Sequence, residues 1–150
     1  MARVIYLAVF TNRTKPANWS IWIPTRGQGS KGKMINVTGN PATGFYLQFK
    51  RNYDFDFTKT KHQIIELGQI HDQYVTDLDP ALPSTVDTTA RDRLESVATT
   101  VPPPPKSANP FDTAAPNCQN WIFDFIEKLI ADSVIDSSVR TILQNAPRVI

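Results

Sequence analysis

The sequence contains few of the residues that most often carry chemistry. Its 150 residues include one cysteine and two histidines, and acidic and basic residues nearly cancel, leaving a net charge of +2. A single cysteine excludes an internal disulfide, and this set cannot supply the paired ligands of a zinc site. The low charge is untypical of proteins that bind nucleic acids or membrane surfaces. We therefore expect no metal, no cofactor and no nucleic-acid partner.

Long apolar runs are also missing. The first apolar run, residues 4–10, is too short for a secretory signal, and no small-residue cleavage site follows it. From this we expect a cytoplasmic protein without a membrane span.

One glycine-rich stretch has the spacing G-x-G-x-x-G, through Gly27, Gly29 and Gly32. A dinucleotide-binding loop needs a helix directly after it, because the free N–H groups of that helix meet the pyrophosphate. A strand pattern follows here instead. We expect an exposed hairpin tip.

Strand patterns fill the first half of the chain. Several segments rich in β-branched and aromatic residues alternate with turn residues. They are residues 4–10, 19–23, 33–37, 45–49 and 62–70. Short connections join the first four segments, which favours an antiparallel meander. We expect about five strands, over residues 3–70.

Helical patterns fill the second half, over about residues 87–147. Apolar residues recur at helical spacing after Asp87, which we expect to cap that helix, until four consecutive prolines end it. Residues 102–116 are predicted to form an extended, proline-rich arm. Later helices begin near Cys118 and after Asp136. Strands followed by helices predict one α+β domain spanning residues 1–150.

The single cysteine, Cys118, stands where a helix is predicted to begin. Asn117 is a favoured capping residue, so Cys118 falls in the first turn, where the helix dipole lowers the pKa of a thiol. At 100° per residue Cys118 shares one face with apolar residues such as Trp121 and Ile122. Two interpretations stay open here: a nucleophile in a cleft, or a cysteine packed in the core.

The segment from Asn117 to Ile122 resembles the N-C-x-x-[WF]-[IV] motif of permuted papain-like proteins, which include NlpC-type peptidases, lecithin:retinol acyltransferase relatives and PPPDE peptidases. The resemblance implies a papain-like α+β fold, with a histidine on an earlier strand facing the cysteine. The chain is also similar to a group of small proteins from filamentous fungi, through segments such as Arg51 to Asp54 and the closing Ala146 to Arg148. That similarity brings no activity with it.

Asn18 stands where the resemblance implies the catalytic histidine. An amide cannot accept a proton at neutral pH, so ordinary papain-like hydrolysis loses its general base. His62 and His71 are the remaining candidates for a base. Asn36, on the next predicted strand, is a further polar candidate that suits orienting a carbonyl group.

We therefore expect a degenerate papain-like domain whose cleft binds an apolar small metabolite. The similarity to fungal proteins implies a metabolite of secondary metabolism. The conversion expected of such a site is a non-hydrolytic isomerisation or cyclisation without a cofactor. The expected catalytic residues are Cys118, Asn18, Asn36 and His62. The residues expected to line the cleft are Trp19, Trp22, Phe45, Gln119 and Trp121. Two alternatives are a thiol hydrolase or acyltransferase with Cys118 as nucleophile, and a non-catalytic interaction module using the proline-rich arm.

Overall fold

The computed structural model describes all 150 residues, Met1–Ile150, and contains one antiparallel sheet with three helices. The strands are β1 Ala2–Phe10, β2 Asn18–Pro24, β3 Lys31–Asn40, β4 Gly44–Asp54, β5 His62–His71 and β6 Thr85–Asp87. The helices are α1 Arg93–Ala98, α2 Cys118–Ala131 and α3 Val139–Gln144. The α+β class predicted from the sequence is confirmed.

The strand order in the sheet is β5-β1-β2-β3-β4-β6. The first four strands form the predicted meander, and a turn with Gly27 and Gly29 at positive φ joins β2 to β3. The fifth strand does not continue the meander. The chain crosses back over three strands through residues 55–61, and β5 pairs with β1. Neither this crossover nor the sixth strand was predicted from the sequence.

The helix expected after Asp87 is shorter than predicted. Helix α1 begins at Arg93, and its cap is Asp92, whose side chain accepts a hydrogen bond from the Glu95 N–H. Asp87 was the wrong choice of cap because it ends β6, where Arg51 holds its carboxylate at 3.0 Å. The helical region predicted from about residue 87 therefore begins later, since residues 87–92 contain no helix.

Alternate residues of each strand point to opposite faces of the sheet. Trp19, Ile21 and Ile23 of β2 lie in the main hydrophobic core, which the three helices share. We call this side the helix face. Ser20 and Trp22 point the other way, to a side with its own small apolar cluster, which we call the outer face. The outer-face residues used below are Tyr6, Ala8, Phe10, Asn18, Ser20, Trp22, Met34, Asn36, Gln48 and Lys50.

Helix α2 is the main helix packed on the sheet. Its predicted cap is confirmed: the Asn117 side chain accepts a hydrogen bond from Gln119 N–H, and the Asn120 side chain accepts one from Asn117 N–H. Its apolar stripe, which includes Trp121 and Phe125, is buried against β2 and β3. None of the three helices has the length and apolar character that crossing a bilayer demands.

The outer face is covered mainly by a short segment, residues 55–61. It carries Phe55, whose ring makes edge contacts with Trp22 at 4.7 Å and Tyr53 at 5.1 Å, and stacks on Phe10 at 6.0 Å. His62 completes the aromatic cluster at 5.0 Å from Phe55. The outer face is therefore covered by a few side chains and one loop.

Five charged residues form a buried network on the helix face, which we call the Glu95 network. Its members are Lys33, Arg51, Asp87, Asp92 and Glu95. The Glu95 carboxylate is fully buried and receives hydrogen bonds from Lys33 at 2.7 Å and Arg51 at 2.5 Å. Burial alone would raise the pKa of Glu95, but hydrogen bonds and charge from Arg51 and Lys33 outweigh it, so the pKa lies below its ordinary value.

We predict that Glu95→Gln strongly destabilises the protein. The substitution leaves the buried Lys33 and Arg51 with one carboxylate each, Asp92 and Asp87, in place of two. Losing a partner of a buried ion pair costs up to roughly 3–5 kcal/mol. Urea unfolding at neutral pH measures this loss. The matched control is Glu127→Gln, which removes the exposed ion pair with Arg140 and should change little. Equal effects of the two substitutions would contradict the role given to the network.

The same network predicts a dependence of stability on pH. Because the pKa of Glu95 is lowered in the folded state, its contribution is complete above about pH 4.5, its ordinary pKa, and is lost as the pH falls below that value through the folded pKa. Unfolding free energies measured between pH 3 and pH 7 should therefore fall below about pH 4.5. This fall should be smaller in Glu95→Gln, which has no carboxylate to protonate.

Candidate functional site

Cys118 opens α2 as predicted, but its thiol is enclosed. The residue is only 5% exposed, and its Sγ lies 3.8 Å from the Ala17 carbonyl oxygen, toward which it donates. Burial raises the pKa of the thiol, against the lowering effect of backbone groups at the helix start. The expectation of a lowered pKa is therefore wrong, because desolvation of the thiolate outweighs the helix end.

The last residues of the chain close off the start of α2. The Gln119 side chain donates hydrogen bonds at 2.9 Å to two carbonyl oxygens, those of Ala17 and Arg148. The Trp19 indole N–H donates to the Pro147 carbonyl oxygen at 3.1 Å. The Arg148 guanidinium lies 4.9 Å from the Trp19 ring centre. Gln119, a predicted cleft residue, thus ties the chain end to β2.

Asn18 and Asn36 lie at the same end of the sheet as Cys118 but on the other face. Asn18 precedes Trp19, which is in the helix-face core, and it is paired with Phe10 of the outer face. Asn36 lies between Ile35 and Val37, which are both core residues of the helix face. The structure therefore brings neither asparagine to Cys118.

The two histidines are at opposite ends of β5. His62 is paired with Phe10 on the outer face, where its Nδ1 is 2.8 Å from the Thr60 carbonyl oxygen. His71 is paired with Ala2 at the other end of the strand, and its Nδ1 accepts a hydrogen bond from Gln73 N–H. Cys118 has no histidine partner in this arrangement.

The predicted cleft aromatics do not form one pocket. Trp19 and Trp121 are fully buried in the helix-face core, and Phe45 packs at the edge of that core. Trp22 is on the outer face, in the cluster around Phe55. The expectation of a single cleft failed because Trp19 and Trp22, three residues apart in a strand, point to opposite faces.

The outer face has a feature that the sequence patterns did not reveal, a split between two neighbouring strands. Pairing of β2 with β3 stops at Ile21 and Ile35, although β2 extends back to Asn18 and β3 continues to Asn40. Ser20 and Asn36 flank this split. They are 3% and 8% exposed, although no helix covers that face. The enclosed Asn36 Oδ1 accepts no hydrogen bond.

Lys50 is a second residue of the outer face that sequence reasoning missed. It is half-buried, and burial lowers the pKa of its amine. Its Nζ lies 5.5 Å from the centre of the Tyr53 ring. The available signal was the alternation of Gln48 and Lys50 with Leu47 and Phe49, which puts both polar side chains on one face. No group of three or more acidic, histidine or cysteine side chains lies where it could hold a metal ion.

Comparison with known families gives one match. A model described as a family of unknown function, DUF6540, matches residues 5–136. The match begins within β1 and covers the other five strands, α1 and α2, which is most of the chain, so the chain belongs to this family. Neither a curated protein nor a solved structure matches the chain. The permuted papain-like relation stays a prediction.

We predict that Cys118 reacts slowly with thiol reagents in the folded protein. Alkylation by iodoacetamide at pH 8 should be roughly 100-fold slower than in urea, which corresponds to an opening free energy of about 3 kcal/mol. Gln119→Ala should accelerate the reaction, because it removes the two hydrogen bonds that join the start of α2 to Ala17 and to Arg148. Gln63→Ala, an exposed change in β5, serves as the control. A folded thiol that reacts as fast as the unfolded one would contradict the buried assignment.

Proposed function

We propose that the protein binds a small molecule with an apolar ring system and a hydrogen-bond donor on the outer face, at the split between β2 and β3. The proposal keeps the apolar ligand expected from the sequence and moves its site away from Cys118. The observation that carries it is the Asn36 Oδ1, which is enclosed on the face without helices and accepts no hydrogen bond from any group of the protein.

The energetic argument rests on what such an oxygen costs. An enclosed polar atom without a partner destabilises a fold by about 1–3 kcal/mol, and such atoms are rare in native proteins. A leucine at this position would avoid the cost, and Met34, two residues away on the same face, is already part of an apolar cluster. An asparagine that lowers stability is expected where a ligand supplies the missing donor.

The surroundings of Asn36 suit a ring-bearing ligand. Met34 precedes it by two residues on the same face and belongs to the apolar cluster with Ala8 and Trp22. Beyond that cluster lie the rings grouped around Phe55. Ligand sites are typically apolar surfaces with a small number of polar groups, which is the composition here.

A second candidate function is that of an interaction module, and one observation favours it. Phe111, in the proline-rich arm, is 92% exposed. Its turn is held by a hydrogen bond from Asp112 N–H to the Asn109 carbonyl oxygen at 3.1 Å. Backbone hydrogen bonds from Phe45 to Pro104 and from Ser107 to Pro41 fix the arm to the β3–β4 hairpin. An aromatic side chain presented on a fixed turn suits an apolar pocket on a partner protein.

The ligand proposal predicts a preference between two matched probes. 2-Naphthol has an apolar ring system and a hydroxyl donor, and 2-methoxynaphthalene has the same rings without the donor. Isothermal titration calorimetry should show about tenfold tighter binding of 2-naphthol, which is the worth of one hydrogen bond to an otherwise unpaired oxygen. Equal affinities, or no binding of either probe, would refute the proposal.

The proposal also predicts opposite effects of Asn36→Leu on stability and on binding. The free energy of unfolding should rise by about 1 kcal/mol, because the unpaired oxygen is removed, and the preference for 2-naphthol should disappear. Asn52→Leu is the contrasting control. The Asn52 Oδ1 is also unpaired, but its amide donates to the Asp79 and Leu82 carbonyl oxygens and its φ is +51°. Asn52→Leu should therefore destabilise the protein and leave the preference between the probes unchanged.

The interaction candidate predicts that Phe111→Ala leaves the unfolding free energy within about 0.5 kcal/mol of the original, because the ring supports no packing. Capture of any partner by the immobilised protein should be lost in Phe111→Ala. It should be retained in Phe57→Ala, which removes another highly exposed phenylalanine. Equal capture by both variants would count against the turn as a docking site.

A further inference from the structure

Lys50 has an environment that distinguishes it from the other lysines of the sheet. Lys33 donates to two carboxylates of the Glu95 network, and Lys31 donates to the Pro80 carbonyl oxygen at 3.0 Å. Lys50 makes no ion pair. Its cross-strand neighbours are the apolar side chains of Met34 on β3 and Val86 on β6.

The carboxylates nearest in the sheet are committed elsewhere or far away. Asp87 is held by Arg51 on the helix face. Glu66 is on the cross-strand row of Lys50, but Tyr6, Trp22 and Met34 stand between them. Four inter-strand spacings of about 4.8 Å separate the two residues by roughly 19 Å. Asp54, at the end of β4, accepts a hydrogen bond from Asp56 N–H, and Asp56 accepts one from the Ser30 hydroxyl. No carboxylate lies within ion-pair distance of the Lys50 ammonium.

Aromatic and amide side chains surround this amine. Its Nζ lies over the Tyr53 ring, and Tyr53 contacts Trp22 edge-on at 6.2 Å. Gln48 is two residues away on the same face and is paired with Asn36. Lys50 and Asn36 are thus diagonal neighbours, about 7–8 Å apart at their Cα atoms, which long side chains can span. One ligand can contact both.

We propose that Lys50 is a covalent attachment site for carbonyl compounds, which it binds as an imine. The inference rests on the proposed function, since the same ring-bearing ligand would occupy the outer face. It adds the chemical class, an aldehyde or ketone. A half-buried lysine whose pKa is lowered by burial has a larger fraction of neutral amine, the form that attacks a carbonyl carbon.

The reaction is balanced without any co-reactant. The Nζ lone pair forms a bond to the carbonyl carbon, and a proton moves from nitrogen to oxygen to give the carbinolamine. The carbon–oxygen bond then breaks, and the oxygen leaves as water while the nitrogen and carbon form a double bond. The Gln48 amide can donate to the carbonyl oxygen as it becomes negative.

Reductive trapping tests the inference on the full chain. The protein is incubated with limiting 2-naphthaldehyde and sodium cyanoborohydride at pH 7, and each lysine is quantified by peptide mass spectrometry. We expect several-fold more label on Lys50 than on the exposed Lys61 and Lys106, because burial lowers the pKa of Lys50 and leaves a larger fraction of its amine neutral. Lys50→Arg should remove this label and keep the charge.

The two proposals can fail separately. An excess of 2-naphthol should protect Lys50 and leave the labelling of Lys61 unchanged. Labelling of Lys50 at the level of the exposed lysines, with the preference for 2-naphthol intact, would overturn the imine and leave the binding proposal standing. Strong labelling of Lys50 without any effect of 2-naphthol would support the imine and count against a shared site with Asn36.

Discussion

The burial of Glu95 between Lys33 and Arg51 is the interaction on which the rest of the structure depends. Glu95 comes from α1, Lys33 from β3 and Arg51 from β4, so one carboxylate ties the first helix to two strands. Asp87 of β6 and the α1 cap Asp92 join the same network. Such charges stay buried only if each has its partner, because a lone buried ion costs several kcal/mol. The network therefore holds β6 and α1 against strands β3 and β4.

Because all three helices pack on one face of the sheet, few residues cover the outer face. Its cover is the segment 55–61, with Phe55 seated among rings from β1, β2 and β4. The two faces also treat polar groups differently. On the helix face Lys33, Arg51 and Glu95 are all paired, whereas on the outer face the Asn36 oxygen accepts no hydrogen bond from the protein and the Lys50 ammonium makes no ion pair. A chain that pairs its buried charges so fully on one side makes unpaired groups on the other informative about function.

The sequence indicates the strands and α2 well, because both depend on local patterns. Period-two alternation marks the strands, and Asn117 marks the start of α2. Alternation also puts Lys33 with Ile35 and Arg51 with Phe49, so burial of both cations follows from local pattern. Their partner Glu95 lies 62 and 44 residues away along the chain. Three other features depend on such distant contacts, and no local sequence pattern predicts them. They are the pairing of β5 with β1, the pairing of β6 with β4, and the split that begins at Ile21.

Asn18 shows why the sequence alone placed the candidate site wrongly. A shift of one position in a strand moves a side chain to the other face of the sheet. Cys118 approaches the start of β2 from the helix face, next to Ala17 and in the same core as Trp19, so a base supplied by β2 would have to point to that face. A histidine at position 18 would point to the outer face and miss the thiol. Asn18 therefore points away from the thiol, and the chemistry that we propose lies with Asn36 and Lys50 on its own face of the sheet.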